Sequence, residues 1–332
     1  MKLPDIYFLE EYGKVYEDNK EGKLTTYFFE CEYGKVYYLF LLRKICIPND
    51  IGYYDITTPF GYGGPLFIEY KEEDLSKLIL SFKKEFGKYC LNNNIITEFV
   101  RFHPLIKNHL QMDLYMNISN IRDTAYIKLD SPEEIWNNLK STCRNRIRKA
   151  EKHNIEIQLD NSYKSLDNFI NLYISTMEIN NAKQYYFFDK EFFYNTFKLL
   201  KNNVFLFNSI YEGKTISSAM IMKYGDYIHY HFGGSDHLYT NLAPNNLLFY
   251  KIALWGQEKG CKYFHLGGGT TGNDDPIFHF KKTFSKDGIT NFFIGKKIHN
   301  ESIYNDIVNE WKIYNNISDT DEINFFPIYR SI

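Results

Sequence analysis

What the chain lacks narrows its class first. Its 332 residues carry five cysteines, Cys31, Cys46, Cys90, Cys143 and Cys261, an odd number with wide spacing and no C-x-x-C pair. That pattern argues against a disulfide framework and against a zinc site, and it predicts a reducing, cytoplasmic setting with no bound metal. Excess charge is also missing: 39 Lys and Arg stand against 41 Asp and Glu, a formal net charge of -2. No global cationic field draws in DNA or an anionic membrane, so any polyanion site has to be a local patch. Long apolar runs are absent as well. The longest, such as Val36 to Leu42, fall far short of a membrane span, and the opening MKLPDIYFLEE turns acidic before an apolar leader forms. The sequence therefore predicts neither export nor an integral membrane segment.

What is present suits a protein with a core. A hydrophobic content of 44% over this length predicts two domains rather than one. An internal echo supports that division. Thr26 to Cys31, a turn at Tyr33-Gly34-Lys35 and the run Val36 to Leu42 read as a β-hairpin; Val204 to Ile210, Tyr211-Glu212-Gly213-Lys214 and Ile216 to Met222 repeat the same grammar. Each hairpin leads into an aromatic, glycine-containing segment, Tyr53 to Gly64 and Tyr227 to Gly234. A helix follows in each half, Glu73 to Leu91 and Asn246 to Lys259, and then a strand, Ile95 to Phe102 and Cys261 to Leu266. Two copies of strand, strand, strand, helix, strand predict two tandem α/β domains with mixed sheets, over residues 1–125 and 126–300. Residues 301–332, with an amphipathic helix from Ile303 to Tyr314, are expected to pack back onto the first.

Between the halves the sequence predicts one helix, capped by Ser131, with Pro132 at its first position and Glu134 as the capping-box carboxylate. Ile135, Leu139, Cys143 and Ile147 make an apolar stripe, and Lys140, Arg144, Arg148 and Lys152 a basic one beside it. Further helices are predicted from Leu166 to Glu178 and from Lys190 to Lys201.

Four segments resemble the Fem-type branch of the GNAT superfamily, the peptidoglycan-bridge aminoacyltransferases and their acetyltransferase-like relatives. They are RNRIRKAEK at Arg144 to Lys152, YHFGGSDHLYTNLAPNNLL at Tyr230 to Leu248, FHLGGG at Phe264 to Gly269 and FKKTF at Phe280 to Phe284. The first half matches more loosely, through YDITTPFGYGGP at Tyr54 to Pro65. The resemblance implies a tandem GNAT-like fold, acyl or aminoacyl transfer to an amine, and Lys281 as the lysine near the donor end of the cleft. It also implies substrate contacts at Tyr230, Gly233, Gly234 and Asn245, and at Gly267 and Gly268. Acetyl-CoA-using GNAT proteins carry a Q/R-x-x-G-x-G/A loop whose N–H groups hold the pyrophosphate. Here the corresponding SDHLYTNLAPNNL has no glycine nest. That weakens acyl-CoA as donor against aminoacyl-tRNA, without excluding a CoA or carrier-protein thioester. No permanently bound cofactor is expected.

Amide formation by direct attack needs a neutral amine, an orienting cleft, and positive charge or N–H donors at the developing oxyanion. His229 and His231, two apart on a predicted strand, point to one face and offer a general base, with Asp236 just beyond. Arg144 and Arg148, one turn apart, match phosphate oxygens of a tRNA backbone or a nucleotide-linked sugar. The loop Phe60 to Pro65, with Tyr62 and Gly63, combines aromatic faces with mobile backbone suited to an acceptor sugar or peptide. Gly267 to Gly272 formally satisfies G-x-G-x-x-G, but Asn273-Asp274-Asp275-Pro276 follows where a long helix should begin, so a dinucleotide site is not expected. The expected activity is transfer to an amino-bearing cell-envelope precursor, a peptidoglycan stem peptide or an amino sugar. The alternatives are an acetyl-CoA-dependent small-molecule N-acetyltransferase and a non-catalytic module that binds tRNA or a nucleotide sugar.

Overall fold

The computed structural model of the chain describes residues 2–46, 52–269, 275–318 and 322–331. In chain order its elements begin with α1 (Glu10–Asp18), β1 (Lys23–Cys31), β2 (Gly34–Lys44), β3 (Tyr54–Thr57), β4 (Leu66–Ile68), α2 (Leu75–Asn92), β5 (Ile95–Arg101) and β6 (Asn117–Lys128). There follow α3 (Pro132–Asn138), α4 (Ser141–Lys152), β7 (Glu156–Asp160), α5 (Leu166–Ile179), α6 (Lys190–Leu200), β8 (Val204–Tyr211), β9 (Lys214–Tyr224) and β10 (Tyr227–Ser235). Last come α7 (Pro244–Glu258), β11 (Tyr263–Gly267), α8 (Pro276–Lys281), β12 (Ile289–Ile298) and α9 (Glu301–Tyr314). They form two compact units, the first of residues 7–121 with 292–332 and the second of residues 1–6 with 122–291. Where the sequence reading divides the chain at 125 and 300, these units divide at 121 and 291, and the first six residues go with the second.

In the first unit β1 and β2 pair antiparallel from Lys23 opposite Leu42 to Cys31 opposite Gly34. Gly34 holds φ of 140°, a left-handed value that glycine adopts without a Cβ penalty. The strand order is β1-β2-β3-β5, with β4 added to β2 and residues 294–298 of β12 antiparallel to β5. β3 and β5 are parallel, which requires a crossover, and α2 supplies it. Leu75, Leu78, Ile79, Phe82, Phe86 and Cys90 recur at helical spacing and are all buried, so the inner face of α2 is continuous core with Val36, Tyr38 and Phe40 of β2. Six successive buried residues, Val36 to Leu41, mark β2 as a strand covered on both faces. α9 packs Tyr304, Ile307, Val308 and Trp311 against Ile45 and Ile96 of the same unit.

The second unit repeats that order. β8 and β9 are joined through Glu212 and Gly213, both at positive φ (49° and 75°), the backbone a two-residue hairpin turn requires. The strands run β7-β8-β9-β10-β11-β6, and β10 with β11 is the parallel pair, bridged by α7. One face is covered by α3, α4, the link between them and α7, through Ile135, Leu139, Cys143, Ile147, Leu248 and Ile252. Against the other face α5 and α6 bring Tyr173, Phe192 and Phe193 to Phe232, with Phe169 packed on Phe193.

The single helix expected over 131–152 is two. Ser131 does cap α3, its Oγ accepting from the Glu134 N–H at 3.1 Å, but Leu139 and Lys140 are extended and α4 starts afresh. The apolar stripe persists across the break, which is why spacing alone does not reveal it. Arg144 turns back to stabilise the interruption: its guanidinium donates to the Leu139 carbonyl at 2.5 Å, one of those freed at the end of α3.

Candidate active site at the open end of the parallel pair

The parallel pairing of β10 with β11 stops early. It runs from Tyr227 opposite Tyr263 to His229 opposite His265, although β10 continues to Ser235 and β11 to Gly267. Both strands lose register just past that point. β10 bulges against β9 between Tyr230 and Phe232, and β11 bulges against β6 between His265 and Gly267. An extra residue bends and twists the strand that carries it, so paired bulges at one level open a gap between the two strands.

Lys281 lies at that gap. It ends α8, a six-residue helix whose N-terminus is capped by Asp275, with Oδ1 accepting from the Ile277 N–H at 2.8 Å and the Phe278 N–H at 3.1 Å. The lysine is only 8% exposed. Its Nζ donates to the Gly268 carbonyl at 2.8 Å and lies 5.4 Å from the centre of the Tyr230 ring, a cation–π contact. Burial pushes the amine down from 10.5 to about 8, with Asp275 opposing the shift and Arg122 adding to it. Arg122 on β6 also donates to the Gly269 carbonyl at 2.7 Å, so two cations grip the strand end.

The bulge explains the glycines. It turns Tyr230 and Gly233 to the same side, and a Cβ on Gly233 would strike the Tyr230 hydroxyl. Gly234 lies against the backbone of Leu172 and Tyr173 in α5 with no room for a side chain. Gly267 has φ of 76°, and a Cβ there would approach the Lys281 Nζ to 3.4 Å. Beyond the bulge, Asn245 at the start of α7 ties back to β10, its Nδ2 donating to Ser235 Oγ at 2.8 Å. Next to it is a cavity of about 350 Å³, lined by Thr142 and Arg146 of α4, Asn245 and Asn246 of α7, and Phe280 and Thr283.

Lys281, Tyr230, Gly233, Gly267 and Gly268 are thus brought together. The histidines are not placed as expected. His231 is the extra residue of the bulge, so strict alternation from His229 is lost, and burial holds its imidazole at about 3, with His229 adding to the shift, too low to keep a proton near neutrality. His229 is fully buried, with Nε2 2.8 Å from Asp5 Oδ2. Asp236 is committed twice, accepting from the Leu238 N–H at 3.1 Å and pairing with Lys214 at 2.8 Å. His229 is closed off from solvent, while His231 and Asp236 are partly exposed, the one with a depressed basicity and the other paired with Lys214.

Arg144 holds the end of α3, and the exposed Arg148 stacks 5.3 Å over Trp136; neither lines the cavity beside Asn245. The arginine of α4 that lines the cavity is Arg146, on the same face as Thr142 four residues earlier; that pairing was legible, but the longer basic stripe overshadowed it. Arg122 gave no motif at all. In the first unit, the Gly63 N–H donates to the Arg101 carbonyl at 2.7 Å and its own carbonyl accepts from Asn108 at 2.9 Å. Tyr62 is half-buried against Tyr7, His103 and Phe292. The 60–65 loop is therefore a fixed closure. Residues 270–272 of the glycine motif lie outside the described residues, and the helix beyond it is too short for a dinucleotide fold. No helix among the described residues is long and apolar enough to cross a membrane.

Residues 137–282 match the family described as an acetyltransferase (GNAT) domain. Over 176 residues the chain is 26% identical to UDP-N-acetylmuramoylpentapeptide-lysine N(6)-alanyltransferase of Weissella viridescens, covering 51% of this chain. The match takes in 50% of that protein, so the chain spans about half the length of this curated relative. Among solved structures, FemX superposes with a TM-score of 0.70 at 13% identity, over 91% of this chain and 94% of its own. L-PGS from Bacillus licheniformis gives 0.51 at 15% identity, over 92% and 96%. At these identities the structural likeness speaks for the fold alone. The fold is thus shared with FemX, and residues 137–282 are similar to the acetyltransferase (GNAT) domain family over a little less than half of the chain.

Proposed function

We propose that the chain is an acyl- or aminoacyltransferase that forms an amide on an amino group of a cell-envelope precursor, a peptidoglycan stem peptide or an amino sugar. The observation that carries this reading is the buried Lys281 at the gap between β10 and β11. A cation held there by the Gly268 carbonyl and the Tyr230 face meets the negative charge that develops on a carbonyl oxygen under attack. In a site from which water is excluded that interaction gains strength. The acceptor amine attacks the carbonyl of an ester or thioester directly, the C–N bond forms, and the donor oxygen or sulfur departs. The amine's proton leaves to the departing group or to solvent, so no buried covalent nucleophile is needed.

The cavity at the start of α7 is suited to the phosphate-bearing part of the donor, with Arg146 as its cation. Pro244 at the first helical position removes one N–H that a diphosphate would use, and Ala243 before it is left-handed at φ of 61°. This favours aminoacyl-tRNA over acyl-CoA as donor. The name of the Weissella relative, an alanyltransferase acting on a lysine of a muramoyl-pentapeptide, supports the acceptor class.

The test is mass spectrometry of nucleotide-linked muropeptides and amino sugars after incubation with the purified protein, once with charged tRNAs and once with acetyl-CoA. An acceptor that gains an aminoacyl residue with tRNA alone is the expected result. Gain of acetyl would transfer the protein to the small-molecule acetyltransferases. No product with either donor would leave a binding module.

A further inference from the structure

The lysine at the gap has a second consequence. Among the described residues its Nζ makes one hydrogen bond, to the Gly268 carbonyl. As a neutral amine it gives one proton to that bond and keeps its lone pair for another partner. The Tyr230 ring lies against it, and Gly267 presents no side chain beside it. The amine is thus fixed where, on the reading proposed above, an activated carbonyl is brought.

We propose that Lys281 is itself an acylation site: with no acceptor amine in the cleft, its Nζ takes the acyl group from an ester or thioester. The Nζ lone pair attacks the carbonyl carbon and a C–N bond forms. The C–O or C–S bond breaks, and the alkoxide, phenoxide or thiolate leaves with the electron pair. The proton lost from nitrogen goes to that leaving group or to solvent. Nothing is oxidised or reduced, and the product is a neutral N6-acyl-lysine. An amide nitrogen carries no charge for an oxyanion, so the modified enzyme is arrested. An acceptor in the cleft competes for the same carbonyl. The site therefore records exposure to donor without acceptor.

The amine's shift from 10.5 to about 8 supports this, because a much larger fraction is neutral near pH 7.5 than at an ordinary surface lysine. Lys286, exposed, is the internal reference.

The experiment treats the full chain with p-nitrophenyl acetate at a series of pH values, without acceptor, and locates acetyl groups by peptide mass spectrometry. A Lys282→Arg variant removes ambiguity with the adjacent lysine. The initial rate at Lys281 is expected to exceed that at Lys286 by about tenfold or more at pH 7.5, as its larger neutral fraction requires. Lys281→Arg should lose that label and keep the label on Lys286. Labelling of Lys281 no faster than Lys286, in a protein that melts like the untreated chain, would overturn the proposal. The readout is separate from acceptor turnover: turnover with no Lys281 label sinks this inference alone, and a Lys281 label with no turnover under any donor sinks the transferase reading alone.

Discussion

The two units use one strand plan and finish it differently. Each has a parallel pair at the middle of its sheet, β3 with β5 and β10 with β11. In the first, the chain beyond β3 turns back and laces the end of the pair shut: Thr58 N–H donates to the Phe99 carbonyl at 3.3 Å and Gly63 N–H to that of Arg101 at 2.7 Å. In the second, two bulges part the strands and a lysine lies at the opening. Their buried ionisable groups differ in the same way. Glu98 on β5 is wholly buried, and its two oxygens take the Tyr38 hydroxyl at 2.9 Å, the Tyr115 hydroxyl at 2.5 Å and the His299 ring nitrogen at 3.1 Å. Among the described residues Lys281 has one acceptor and an aromatic face. A buried group with all its partners rigidifies a core; one left short of partners retains free energy to spend on a ligand.

Substitutions can break this contrast, and the largest effect is expected at Lys281. Lys281→Met should lower amide formation by about 100- to 1000-fold, the range for losing one oxyanion-stabilising group. Its unfolding free energy should stay level or rise, because a poorly partnered buried charge is replaced by an apolar chain of similar length. Glu98→Ala should behave in the opposite sense, costing about 3 kcal/mol in a urea titration as three buried donors lose their acceptor. Gly233→Ala comes next, since its methyl group meets the Tyr230 hydroxyl that the bulge brings alongside. About 1 to 3 kcal/mol of destabilisation is expected from such overpacking, with a parallel fall in activity. Gly63→Ala in the first unit should cost less, because it meets only the Thr58 side chain at 3.0 Å.

The plan itself was legible. Hairpin turns at Gly34 and Gly213, the repeated element order and the stripe on α2 all follow from local periodicity and turn chemistry. Lys281 was reached only through its F-K-x-x-F surroundings, since an isolated lysine beside another gives no sign of burial. The bulges could not be read, because alternation in a sequence carries no record of a partner strand's register. The error at His231 is one consequence, and its neighbour Tyr230 facing Gly233 is another. At Leu139 the apolar spacing survived a break in the backbone, so the helix looked continuous.

A pH dependence of stability is expected as well. Lys281 falls from 10.5 to about 8 on folding, so between those pH values the unfolded chain keeps a proton that the folded chain has released. Stability should therefore rise with pH across that window, by at most about 1.4 kcal/mol per pH unit, with the full penalty present below it. The difference between wild type and Lys281→Met isolates this slope from the other lysines and tyrosines.

The most direct measurement is the titration of Lys281 itself, followed by NMR in the full chain with ¹³C-labelled lysine and assigned by its loss in Lys281→Arg. A midpoint near 8 is the result this account requires. A midpoint at the ordinary lysine value of 10.5 would mean that the amine is solvated, and the second unit's gap would then be no better suited to acyl transfer than the first unit's closed one.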